Sequence, residues 1–139
     1  MTVAISTDVA QTGWLKIHIV GNATAAGLVG QELNPEGVLL QIVDGFEYIS
    51  ATSTAASTFN IGITATSGAD ASDLMSAFAQ NQTAGTVWNI IDRDLDSEAA
   101  AVTTHGLLWA ATSYLTVTSA AYASTGLVAD LFLKYIRLA

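Results

Sequence analysis

The chain has 139 residues, of which 51% are hydrophobic and only 12% charged, with a net charge of −8 and no cysteine. That length fits one domain around one core, and the lack of thiols excludes a disulfide framework and thiolate metal sites. Twelve acids stand against four bases, Lys16, Arg93, Lys134 and Arg137, which disfavours nucleic acid and anionic membranes as partners. No apolar run approaches the ~20 residues of a membrane-spanning helix. A charge content so far below the usual ~25% predicts that part of the surface is covered by other protein, further copies of the chain included.

The first stretch, MTVAISTDVAQTG, has no basic segment and carries Asp8, so no targeting peptide is expected. Val3 and Ile5 share a parity within a short strand over 3–9, and residues 1–12 read as an arm or edge strand of the single domain. In WLKIHIV, residues 14–20, Leu15, Ile17 and Ile19 face one side and Trp14, Lys16, His18 and Val20 the other. His18 thereby falls on the mixed face as a partly exposed strand histidine. ELNPEG is a turn begun by Asn34-Pro35 and ended by Gly37.

Residues 37–66 hold two apolar runs that read as adjacent antiparallel strands. In the first, Leu40, Ile42, Phe46 and Tyr48 share one parity and Gln41, Val43 and Glu47 the other. Asp44-Gly45 fits either a bulge that continues the strand or a type I′ turn that splits it. After a connection rich in Ser, Thr and Ala, Phe59, Ile61 and Ile63 alternate with Asn60, Gly62 and Thr64. The period then changes. Leu74 and Phe78 are four apart with Met75 beside them, and Asp70 or Ser72 can cap, which predicts one short helix over 71–79.

Residues 86–91 resume a strand before DRDLDSE. In that run Asp92, Asp94, Asp96 and Glu98 alternate as calcium-loop ligands do, but Ser97 and Thr103 stand where an EF-hand needs Gly and Glu, so these four are weak metal candidates. A low-complexity connection over 99–105 ends at His105, and Leu107, Leu108 and Trp109 follow. Tyr114, Thr116 and Thr118 then alternate with Leu115 and Val117, a strand with a Thr-rich face. The last run, 127–138, sets Leu127, Leu131, Leu133 and Tyr135 against Asp130, Phe132, Lys134 and Ile136. Apolar on both parities, it belongs in the middle of a sheet or against a partner. Seven to nine short strands without a βαβ pattern predict an all-β fold, an antiparallel β-sandwich of jelly-roll type. Two lone histidines, no thiol and no nucleophile elbow give no reason to expect an enzyme, and no cofactor is expected.

Three pieces taken together, STFNIGITATSGADASDLMSAF, TAGTVWNIID and TSYLTVTSAAYASTGLVADLFLKYIRL, carry a resemblance over roughly residues 37–138. The chain resembles small structural proteins from the head modules of tailed bacteriophages, the capsid decoration or cement class. The resemblance implies a β-sandwich on the outer surface of the virion capsid, a trimer or else a dimer, that ties neighbouring copies of the major capsid protein together. Trp14, Trp88, Trp109, Tyr114, Tyr122 and Tyr135 are then the candidate interface anchors, since aromatic side chains dominate interface energetics; at least half of the six are expected to fill the core instead. The rival reading is a carbohydrate- or calcium-dependent adhesion module of a phage fibre or tail, using exposed tryptophans and the 92–98 loop.

Overall fold

The computed structural model describes residues 12–90 and 107–138. The expectations for the first residues, for the 92–98 acidic run with its calcium candidates, and for the connection that ends at His105 lie outside that range. Nine strands are described: β1 (Thr12–Val20), β2 (Gly27–Leu33), β3 (Leu40–Ala51), β4 (Thr58–Thr64), β5 (Met75–Ala79), β6 (Val87–Asn89), β7 (Leu107–Trp109), β8 (Tyr114–Ala121) and β9 (Val128–Arg137). They form two antiparallel sheets, one in the order β1-β9-β3-β6 with β7 also on β3, the other β2-β8-β4-β5. Both contribute to one core, in which Ile42, Ile49, Leu131 and Leu133 of the first meet Phe59, Ile61, Leu115 and Val117 of the second. The fold is therefore all-β and consistent with a sandwich.

The alternations read in β1, β4, β8 and β9 hold. Ala129, Leu131, Leu133 and Tyr135 of β9 are buried, and β9 lies between β1 and β3, in the middle of its sheet. The predicted adjacency of the two runs within 37–66 does not hold: β3 and β4 belong to different sheets, and the Ser/Thr/Ala connection carries the chain from one to the other. Its small side chains have a use there. Thr54 Oγ1 donates to the Thr125 carbonyl, Ser57 Oγ to that of Tyr122 and Thr52 Oγ1 to that of Gln82, so hydroxyls add donors for loop carbonyls.

Asp44-Gly45 is a bulge. β3 runs through it unbroken, with the register on β9 slipping between Ile42 and Asp44. One extra residue reverses the facing of everything after it. Leu40 and Ile42 point into the core, but beyond the bulge Gly45, Glu47 and Ile49 do so, and Phe46 and Tyr48 turn outward, the reverse of the alternation expected. Gly45 is required at this point because a Cβ there would lie 2.8 Å from Leu133 Cδ2 and 2.9 Å from the Phe132 carbonyl oxygen.

The predicted helix over 71–79 is not formed; the segment ends in strand β5, paired with β4. The helical spacing has another cause. Phe78 lies opposite Phe59 and Met75 opposite Ile61, so β5 spends three residues where β4 spends two. The extra residue is absorbed at Ala77, whose φ is +54°. A bulged strand therefore puts residues three apart on one face, as a helix does. Asp70 and Ser72 therefore cap no helix. Asp73 Oδ2 accepts the Ile63 N–H at 3.2 Å, and Asp70 accepts from Asn60 Nδ2 and from the Thr118 hydroxyl.

The ELNPEG turn forms as read and is organised by Asn34, which is buried. Its Oδ1 accepts the N–H groups of Glu36 and Gly37, and its Nδ2 donates to the carbonyls of Val38, Trp109 and Ala110. Beside it Glu36 accepts the Tyr135 hydroxyl at 2.6 Å and pairs with Arg137. The Tyr135 hydrogen bond, aided by Arg137, holds the Glu36 carboxyl below its ordinary range against the opposing effect of burial.

Candidate interface on the outer face of the first sheet

Alternation on three neighbouring strands builds a continuous outer face. β1 turns Trp14, Lys16, His18 and Val20 outward, β9 turns Asp130, Phe132, Lys134 and Ile136, and β3 beyond its bulge turns Phe46 and Tyr48. Strand register sets them in rows: Lys16 opposite Phe132 opposite Phe46, and His18 opposite Asp130 opposite Tyr48. Phe46 and Phe132 stack with ring centroids 4.8 Å apart, and Trp14 meets Phe46 edge-on at 6.3 Å. These are offset and T-shaped geometries that the ring quadrupoles favour.

Trp14 stays 54% exposed and Tyr48 39%. Polar groups border the aromatic rows. Lys16 Nζ lies 5.8 Å from the Phe132 centroid and 3.7 Å from Asp130, and His18 Nδ1 lies 2.8 Å from the other Asp130 oxygen. Such surface pairs contribute well under ~1 kcal/mol each to folding. The strand alternation places Lys16 and Lys134, two of the chain's four basic residues, on one aromatic face of an acidic molecule.

The outer face of the second sheet is finished differently. The 65–74 segment lies across β4 and β8, so that a Cβ on Gly62 would come within 2.8 Å of the Ala71, Ser72 and Asp73 backbone. Gln31 fixes the start of this segment, accepting the Gly68 N–H at 2.7 Å and donating to Ser67 Oγ at 2.9 Å. Under the cover Thr116 and Thr118 are buried.

The structure separates the six aromatic candidates. Trp109 is in the core, 1% exposed, with its indole N–H donated to the Ser113 carbonyl. Tyr135 is also buried, its hydroxyl used by Glu36. Trp88 is half-buried edge-on against Phe78, its N–H donated to Ala79, and Tyr114 is half-buried at the start of β8. Only Trp14 and Tyr122 present large exposed areas, and they lie apart; Trp14 is on β1, whereas Tyr122, 62% exposed, has a φ of +60° just past β8 in the other sheet. Of the six, Trp14 alone belongs to the aromatic face, and its partners Phe46, Phe132 and Tyr48 were missed. The outward parity of Phe132 was legible, whereas the bulge hid that of Phe46 and Tyr48. Among the described residues no three His, Asp or Glu side chains group as a metal site, and none of the helices there is long and apolar enough to cross a membrane.

Compared with known proteins, the chain matches no family model, no curated sequence and no solved structure.

Proposed function

We propose that the chain is a structural virion protein, a capsid decoration or cement protein that caps the outer shell and bridges neighbouring major capsid subunits as a homo-oligomer, a trimer in preference to a dimer. The observation that carries this reading is the Trp14, Phe46 and Phe132 face, a rigid sheet surface with apolar rings at its centre and Lys16, His18 and Asp130 at its border. That is the anatomy of a protein interface, with aromatic anchors inside a polar rim. The low charge fits the same use, and the resemblance over residues 37–138 supplies the capsid.

The strand order supports a jelly roll. With β7 set aside as an accessory to β3, the remaining eight strands in chain order pair first with last, second with seventh, third with sixth and fourth with fifth. A long antiparallel hairpin rolled into two sheets gives those four pairs, and rolling adds the contacts β9 with β3 and β8 with β4. Jelly rolls serve viral capsids and lectins alike, so the topology agrees with the reading without selecting it.

Magnitudes favour the oligomer. About 400 Å² of apolar surface is worth on the order of 10 kcal/mol at ~25 cal/mol per Å², and association costs ~4–15 kcal/mol, so one copy on a shell gains little. Linked copies share that cost and hold by avidity. The experiment is co-sedimentation of the protein with shells assembled from major capsid protein, together with its mass in solution. Saturable binding by an oligomer supports the reading, and a monomer that stays in the supernatant overturns it.

A carbohydrate- or calcium-dependent adhesion module is the second reading. Exposed Trp14 beside hydrogen-bonding side chains favours it, because sugars stack on such rings. Millimolar calcium or a glycan that raises the unfolding midpoint supports this alternative, since a ligand of the native state alone must stabilise it; no shift in either removes it.

A further inference from the structure

The bulge in β3 has a second result: it turns Glu47 into the core, where the side chain is fully buried between the sheets. Among the described residues its side chain has one hydrogen-bond partner, Gln80, just past β5 on the other sheet, whose Nε2 donates to Glu47 Oε2 at 3.2 Å and to the Phe78 carbonyl at 3.1 Å. The second oxygen of each group, Glu47 Oε1 and Gln80 Oε1, is buried with no partner among the described residues. An ionised glutamate offers only acceptors, so neither orphan can satisfy the other. One proton would serve both, by making Glu47 Oε1 a donor and leaving Gln80 Oε1 an acceptor on the carboxamide that Glu47 already meets through Oε2.

We propose that Glu47 and Gln80 form a neutral acid–amide clasp between the two sheets, with the carboxylic O–H of Glu47 donated to Gln80 Oε1, and that loss of this proton opens the clasp. Burial pushes the Glu47 carboxyl up to about 7 from its ordinary 4.5, and the Gln80 hydrogen bond opposes the rise only in part. No described charge reaches it. β4, β5 and β6 carry no ionisable side chain, the inward neighbours on β9 are Ala129, Leu131 and Leu133, and Asp130 and Lys134 of β9 face the opposite side, as does Tyr48 of β3. The clasp joins a region already tied across the sheets. The Gln80 N–H donates to the Ser57 carbonyl, the Gln80 carbonyl accepts the Ser53 N–H, and the Trp88 indole reaches from β6 to Ala79.

The sign of the pH dependence follows from linkage. Between about 4.5 and about 7 the folded chain keeps a proton that the unfolded chain has released, so stability falls as pH rises through that window. The contribution is fully present below the lower value and lost above the upper one. A gap of this size changes the folded-to-unfolded ratio by roughly 300-fold.

The test is the pH titration of the Glu47 side-chain carboxyl by carbon-13 NMR on the whole chain, beside urea unfolding of wild type and Glu47→Gln from pH 4 to 9. A Glu47 midpoint near 7, far above the ordinary glutamate value of 4.5, is expected. Glu47→Gln offers the same hydrogen bonds without a titrating proton, so it is expected to match wild type in acid and exceed it at pH 8. A Glu47 that titrates near the ordinary 4.5, as it would if a bridging water filled the gap, overturns the proposal even if the variant does not fold. An unchanged pH slope in Glu47→Gln overturns it equally.

Discussion

The two sheets of this molecule have the same architecture on their inner faces and opposite treatments on their outer ones. Over β8 and β4 the chain lays its own 65–74 segment, presses backbone onto Gly62 and buries Thr116 and Thr118 beneath it. Over β1, β9 and β3 it lays nothing that the described residues show, although Trp14, Phe46 and Phe132 make that face the more apolar of the two. The sheet with hydroxyls outside is covered, and the sheet with rings outside is left open. That inversion makes sense if the open face is completed by a neighbouring molecule.

The contrast can be broken from either side. The largest effect is expected from Gly62→Ala, which forces the 65–74 cover away from β4; overpacking against backbone is expected to cost about 3 kcal/mol in urea unfolding. A variant within ~0.5 kcal/mol of wild type would mean the cover is only loosely seated. Next comes Trp14→Ser on the open face. It is expected to leave single-chain stability within about 1 kcal/mol but to weaken assembly by about 2 kcal/mol, roughly 30-fold in a concentration series followed by light scattering.

Asp70→Ala removes the carboxylate that joins Asn60 and Thr118 to the cover. A loss of about 1 kcal/mol is expected, with faster amide exchange confined to the 65–74 segment. Lys16→Met is expected to change folding by less than ~0.5 kcal/mol, because its pairing with Asp130 is solvent-exposed. A loss several times larger would show that the border of the open face is part of the fold's stability rather than of its binding.

Strands that keep a strict period of two were legible. Leu15, Ile17 and Ile19 of β1, the Thr-rich face of β8 and the central place of β9 all followed from alternation. Alternation carried no pairing information for β3 and β4, which lie in different sheets, and it misled at the two places where a bulge adds a residue. At Asp44-Gly45 the extra residue exchanged the faces, so Phe46 and Tyr48 were assigned to the core and Glu47 to solvent. At Ala77 it gave β5 the spacing of a helix. A bulge is a cross-strand event: it is set by what Leu133 and Phe59 offer opposite, and a local pattern does not contain that information. The candidate interface was half visible for the same reason. Trp14 and Phe132 could be placed outward on their own strands, but their meeting with Phe46 depends on the bulge and on the β1-β9-β3 order.

An assembly surface on the ring-bearing face of the first sheet has to show in the mass of the protein in solution. Sedimentation equilibrium of wild type and Trp14→Ser at matched concentrations tests it most directly. A multiple of the 14.4 kDa chain is expected for wild type and a shift toward one chain for the variant. A wild type that stays a single chain throughout, or a variant that assembles just as well, would contradict it.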